Sequence, residues 1–110
     1  MTHLGDFEQL IMFSVLELDG EASGVTIREL IEDRTRRVVS LGAIYTTLGR
    51  LEDRGLVSSS VGEPRPGHPG RPRKRYRLRV EGARALMDAY DALQAIAAGL
   101  IPRLTELAEG

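Results

Sequence analysis

Cysteine and tryptophan are absent from this 110-residue sequence, and aromatic side chains and long hydrophobic runs are scarce. Without cysteine there is no disulfide framework, no thiolate metal site and no cysteine nucleophile. The longest unbroken apolar runs have four residues, as in 10–13, whereas a helix that spans a bilayer needs about 20. The first residues also lack the basic and apolar regions of a signal peptide. We therefore expect a cytoplasmic protein that has no membrane partner.

Patterns typical of catalytic and metal sites are missing as well. The two histidines, His3 and His68, lie in predicted loops, and without cysteine they make a poor metal-binding set. The serine run over 58–60 has no histidine placed to act as a base. The segment 67–70 lacks the Lys-Ser/Thr pair and the helix that a phosphate loop requires. The sequence thus predicts a protein that is not an enzyme and needs no cofactor and no metal.

The formal net charge of −1 conceals a strong segregation of charge along the chain. Residues 1–27 carry five acids and no base, and residues 81–110 carry five acids and two bases. Residues 55–80 instead carry seven bases and one acid, and six of these bases lie within 71–79. Such a cluster is either a solvated loop or a surface that binds a polyanion, and the flanking elements must decide between the two.

Hydrophobic periodicity and capping residues divide the chain into short elements. Ser40 is a good N-cap for a helix whose apolar stripe is Ile44, Leu48 and Leu51. Four of the five prolines lie within 62–72, which predicts a loop between two strands. The predicted elements are, in order, a helix over 6–18, a short helix over 24–34, a helix over 40–54, a strand over 56–61, a strand over 74–80 and a helix over 82–107.

This order of elements is that of a winged helix-turn-helix domain, mainly α with a two-stranded β wing. In such a domain the second helix braces a third helix, whose N-terminal part enters a DNA major groove about 12 Å wide. The loop between the strands reaches the flanking backbone or minor groove with basic side chains. We therefore predict that residues 1–80 form a domain that binds double-stranded DNA.

Several separated segments resemble the PadR family of transcriptional regulators. Residues 40–57 are similar to the family's recognition-helix pattern, S-x-G-x-[LI]-Y-x-x-L-x-x-L-x-x-x-G-L. Residues 70–78 resemble its wing and returning strand, and residues 4–8 resemble the opening of a short-chain branch. The chain departs from many members at Ser23-Gly24, where they have Tyr-Gly, and at Arg79, where they have threonine. The resemblance implies a homodimeric DNA-binding regulator, usually a repressor, in a short form with a single C-terminal helix.

The exposed face expected for the third helix, together with the wing, supplies the candidate DNA contacts. The resemblance places the family's phosphate-contacting tyrosine at Tyr45, although a half-buried helix residue would have the same pattern. Arg50 either contacts DNA or pairs with Asp53. The predicted DNA-binding residues are Ser40, Leu41, Gly42, Tyr45, Thr46, Arg50, Arg71, Arg73 and Lys74.

Residues 81–110 predict a dimerisation helix that packs against its own domain and against the first helix of a partner. Its apolar residues alternate in spacings of four and three, as in a coiled-coil seam. About 26 residues at ~1.5 Å each give a helix of roughly 39 Å, longer than the domain before it. Pro102 should bend this helix near residue 98. The predicted interface comprises Phe7, Leu10, Ile11, Leu86, Tyr90, Leu93, Ala97, Leu100, Leu104 and Leu107.

These features together predict a sequence-specific transcriptional regulator, a repressor that binds a pseudo-palindromic operator as a homodimer. The alternative is a winged-helix module that binds only other proteins. The basic wing argues against this alternative, because such modules usually lose their positive face. Whether a small-molecule effector binds at the dimer interface is a question the sequence leaves open. No polar group within the apolar stretches marks a pocket for one.

Overall fold

A computed structural model describes residues 3–62, 67 and 73–110 of the protein. Its two strands pair antiparallel, with Val57 opposite Leu78 and Val61 opposite Lys74. The predicted fold class, mainly α with a two-stranded β wing, is confirmed. The elements are, in order, α1 (Asp6–Leu18), α2 (Gly24–Thr35), α3 (Leu41–Asp53), β1 (Val57–Val61), β2 (Lys74–Leu78), α4 (Val80–Ala97) and α5 (Ile101–Glu109).

Capping side chains define where α2 and α3 begin. The Ser40 hydroxyl oxygen accepts a hydrogen bond from the backbone N–H of Ala43 at 3.0 Å, as the sequence predicts. Ser23 caps α2 in the same way, and the Thr26 side chain accepts in return from the Ser23 backbone N–H at 2.8 Å. Because both starts are capped and only residues 36–40 separate the two helices, α2 and α3 form a tight helix-turn-helix.

The first three helices surround an apolar core that the strands close on one side. The stripe predicted on α3 is fully buried in this core, and the outward face of α3 is thereby set. Each large apolar side chain contributes about 1.5–3 kcal/mol when it is buried, so this packing holds α3 firmly in place. The side chains best shielded from solvent are Ile11, Met12, Ile27, Ile44, Leu48, Leu51 and Val57.

Strand β2 is tied to the α1–α2 turn as well as to β1. The backbone N–H of Tyr76 donates to the carbonyl of Ala22 at 2.9 Å, and the Tyr76 ring is buried in the core. Ala22 directly precedes Ser23, the N-cap of α2. The wing strands therefore have a fixed position relative to the start of α2.

Helix α4 passes directly over the beginning of β1. A Cβ atom on Gly82 would overlap the backbone carbonyl of Leu56, so this close approach requires a glycine. The backbone N–H of Arg79 also donates to the Leu56 carbonyl at 3.0 Å. Arg79 is the N-cap of α4 and makes no side-chain capping hydrogen bond. The capping hydrogen bond that a threonine would make at this position is therefore not formed.

The prediction of one continuous C-terminal helix is wrong, because the chain forms two helices. Helix α4 begins at Val80, two residues before the predicted start, and ends at Ala97. Gly99 follows in the left-handed region with φ +78°, and Pro102 lies in the first turn of α5. Proline lacks the N–H that a helix interior needs but is tolerated in a first turn. The helix therefore ends at the place where we expected it only to bend.

Within the described residues, no helix is both long and apolar enough to cross a membrane.

Candidate nucleic-acid interface

The outward face of α3 consists of small and polar residues around one tyrosine and one arginine. Five of the predicted contact residues, Ser40, Gly42, Tyr45, Thr46 and Arg50, are exposed together on this face. The sixth predicted residue on this helix, Leu41, is half-buried, so only part of its side chain can reach a partner. Gly42 has open space around it, so the helix backbone can approach another surface closely at that position.

Arg50 projects from this face without an intramolecular partner in the part of the chain that the structure describes. The expected alternative, an ion pair with Asp53, is not formed there. Its guanidinium can therefore donate to a base edge or to a phosphate, for which the planar fork of arginine is well suited.

Tyr45 lies between α3 and the start of α2. Its side chain is 46% exposed, and its ring packs against the backbone of Gly24, the first residue of α2. Tyr45 is thus partly packed, as the alternative of a half-buried helix residue predicted, and partly open to solvent.

Burial raises the pKa of Tyr76 above its ordinary value of about 10, and the Glu52 carboxylate and Tyr45 raise it further.

The basic residues at the base of the wing lie beside α2 and α3. The Arg73 guanidinium is 3.5 Å from the Ser23 hydroxyl at the start of α2. Lys74 Nζ is 4.0 Å from the Glu52 carboxylate of α3, an exposed pair of the kind that contributes at most about 1 kcal/mol. A phosphate could therefore compete for either side chain. Arg71, also predicted to bind DNA, lies outside the described residues.

These positions bring α2, α3 and the wing into one surface, which we call the α3–wing surface (the N-cap Ser40, the exposed α3 residues Gly42, Tyr45, Thr46 and Arg50, and Arg73 and Lys74 of the wing). The sequence reasoning missed that Ser23 and Gly24 adjoin this surface. The signal was present in the Ser-x-x-Thr spacing of residues 23–26, which places a capped helix start there. Their proximity to Tyr45 and Arg73 depends on how α2 packs on α3, and no sequence motif reports that.

Acidic residues of α1 neutralise arginines elsewhere on the molecule. Asp6 pairs with Arg37 at 2.9 Å, Glu8 with Arg54 at 2.9 Å and Glu17 with Arg34 at 2.7 Å. These partly or fully exposed pairs add little stability. They balance three arginines of the α2–α3 region, whereas Arg50 on the α3–wing surface has no such partner among the described residues.

The structure corrects two residues of the predicted dimer interface. Ile11 and Leu86 are buried in the core of their own protomer, with 0% and 3% of their surface exposed, so neither has surface left for a partner. The spacing of apolar residues cannot distinguish a residue covered by its own domain from one covered by a second chain. Phe7, Leu10 and Ala97 are half-buried.

The remaining predicted interface residues are exposed on α4, α5 and the turn between them. Tyr90 makes an edge-on contact with Phe13 of α1, with the ring centroids 6.0 Å apart. No residue of α5 is buried. We call the following residues the C-terminal apolar stripe: Leu93, Ile96, Leu100, Ile101, Leu104 and Leu107, all more than half exposed.

The fold and the α3–wing surface define a winged helix-turn-helix protein. The family model that matches the chain is the transcriptional regulator PadR-like family, over residues 12–88. The chain belongs to this family of transcriptional regulators. No curated protein sequence matches it.

Solved structures agree with this assignment. The chain is similar to a PadR-like transcription factor from Bacteroides fragilis, with 27% identity, a TM-score of 0.67 and coverage of 82% of each chain. A PadR family transcriptional regulator from Eggerthella lenta has 25% identity and a TM-score of 0.67, with 87% of this chain and 81% of that chain covered. A PadR family regulator from Clostridium difficile, at 23% identity and a TM-score of 0.70, shares the fold over 89% of this chain and 98% of that one.

Proposed function

We propose that this protein is a sequence-specific repressor that binds a pseudo-palindromic operator in double-stranded DNA as a homodimer. The observation that carries the proposal is the α3–wing surface, where the exposed face of α3 with Tyr45 and Arg50 lies beside the basic residues Arg73 and Lys74 of the wing. Family membership supports a role in transcription. A module that binds only proteins has no need of this positive charge.

Each part of the α3–wing surface has a distinct task in the proposed complex. Helix α3 enters the major groove, where Thr46 and Arg50 face base edges and read sequence. Tyr45, Arg73 and Lys74 contact phosphates or the minor groove and set the register without reading bases. The capped start of α3 at Ser40 directs its backbone N–H groups, and the positive end of the helix dipole, at the DNA backbone.

The proposed dimer accounts for the C-terminal apolar stripe. A helix of nine residues such as α5 is marginal on its own in water, and this one has no buried residue in its own protomer. Several large apolar side chains would remain in solvent unless a second copy covered them. Phe7 and Leu10 of α1, half-buried in the protomer, extend the same apolar surface in our proposal.

A salt titration of DNA binding tests the proposal. If each subunit neutralises roughly three to five phosphates, the logarithm of the binding constant should fall with the logarithm of salt concentration with a slope of about −5 to −9. The measurement uses fluorescence anisotropy with duplexes from the region upstream of the coding sequence, and footprinting then locates the two half-sites. Specific sites about one helical turn apart are expected. A slope near zero, or equal affinity for all duplexes, would contradict the proposal and favour the protein-binding module.

A further inference from the structure

We infer that Gly24 positions the Tyr45 hydroxyl for its contact with DNA, because the missing side chain of Gly24 leaves the space that the tyrosine ring occupies. The inference rests on the proposed function, since it concerns how one phosphate-contacting group is held in place. Gly24 itself need not touch DNA, so it acts as a positioning residue.

The space next to Gly24 is filled by the Tyr45 ring. A Cβ atom built on Gly24 would lie 2.5 Å from Cε1 and 2.6 Å from the hydroxyl oxygen of Tyr45. Both separations are far inside the ~3.5 Å at which carbon atoms reach van der Waals contact. Any other residue at this position would therefore exclude the ring from where it now lies.

Backbone conformation gives no reason for a glycine here. Gly24 is the first residue of α2 and is not among the glycines with positive φ, which are Gly20, Gly55, Gly67 and Gly99 in the described residues. An alanine would be at least as good a helix residue. The space it leaves for Tyr45 is thus the specific feature of Gly24.

A side chain at position 24 would move the ring rather than the helix. The start of α2 is buried and held by the reciprocal hydrogen bonds of Ser23 and Thr26. The Tyr45 side chain is nearly half exposed and can swing toward solvent. To relieve the overlap the ring must shift by about 1 Å. A shift of that size takes the hydroxyl out of position for a phosphate that the other contacts hold in register, because a hydrogen bond between them is normally about 2.7 Å long and directional.

A double-mutant cycle in the full chain tests this inference. Gly24→Ala should weaken operator binding by at least roughly a hundredfold, because each subunit of the proposed dimer loses one hydrogen bond to a charged phosphate and each such loss lowers the affinity by at least about tenfold. In a Tyr45→Ala background no ring remains to be displaced, so Gly24→Ala should have no further effect on affinity. Equal losses in both backgrounds, or no loss in either, would overturn the inference. Thermal unfolding should show that Gly24→Ala leaves stability nearly unchanged, whereas a purely structural role for Gly24 would lower it.

Gly5→Ala is the matched control, because Gly5 also lies at the start of a helix. A Cβ atom there would meet Glu8 Oε1 at 3.5 Å, an ordinary contact, and Gly5 lies outside the α3–wing surface. Its DNA affinity should equal that of the unsubstituted protein.

The ring resonances of Tyr45 in the free protein separate this inference from the proposed function. Gly24→Ala should shift them and leave those of Tyr90 in place. If the unsubstituted protein binds no duplex, the proposed function fails by itself. Unshifted Tyr45 resonances in Gly24→Ala, in contrast, would overturn the positioning role whatever the protein binds.

Discussion

Replacing Leu104 by alanine should weaken the proposed dimer without unfolding the protomer. Leu104 is 60% exposed, and α5 has no buried residue within its own chain. Complete burial of a leucine contributes about 1.5–3 kcal/mol, so covering the exposed part contributes on the order of 1 kcal/mol per copy, and the loss grows if a cavity is left. A two-fold dimer carries the substitution twice. The dimer dissociation constant should therefore rise by roughly 30- to 150-fold.

Sedimentation velocity over a range of protein concentrations measures this effect directly. Val38→Ala is the matched control, because Val38 is a large apolar residue with 93% of its surface exposed, outside the proposed interface. Thermal unfolding of the monomer at low concentration should be the same for both variants. A Leu104→Ala protein that dimerises as tightly as the unsubstituted one would refute the role of α5, as would an equal loss in Val38→Ala.

Two further predictions concern DNA recognition and stability against pH. Tyr45→Phe and Arg73→Ala should weaken binding to all duplexes, because phosphate contacts carry no sequence information. Thr46→Ala should instead change the preference at single base positions by about 1–3 kcal/mol at most, as binding to a panel of mutated operators would show. The opposite pattern would mean that α3 docks in a different rotation. Because burial raises the folded-state pKa of Tyr76, the unfolded chain ionises first, and the free energy of unfolding should fall as pH rises above about 10. In denaturant titrations at several pH values, Tyr76→Phe should remove the part of this decrease that comes from Tyr76. The same pH dependence of the unfolding free energy in Tyr76→Phe as in the unsubstituted protein would contradict this prediction.

Local signals in the sequence predicted most of the domain correctly. Helix α1 and the Ser40 cap of α3 agree with the structure because capping and apolar periodicity act within a few residues. Strand β2 ends two residues early, at Leu78, and Val80 already belongs to α4. That boundary is set by the seating of α4 on β1, a tertiary contact that no local pattern encodes.

The C-terminal break and the candidate site show where sequence reasoning stops. Pro102 is compatible with a kink or with the first turn of a new helix, and only the left-handed Gly99 makes it the latter. The seat of Tyr45 on Gly24 joins residues 21 positions apart in the sequence, through the packing of α2 on α3. Neither result follows from residue type and spacing alone.

Because α4 packs closely on the start of β1 at Gly82, a rotation of α4 would carry the whole winged helix-turn-helix domain with it. The 18 residues of α4 extend about 27 Å at 1.5 Å per residue, from the winged helix-turn-helix domain toward the C-terminal apolar stripe. In the proposed dimer, a 10° change in the crossing angle of the two α4 helices would displace a recognition helix by about 5 Å, more than the ~3.4 Å rise of one base pair. The distance between the half-sites that the proposed dimer would read therefore depends on packing far from the DNA.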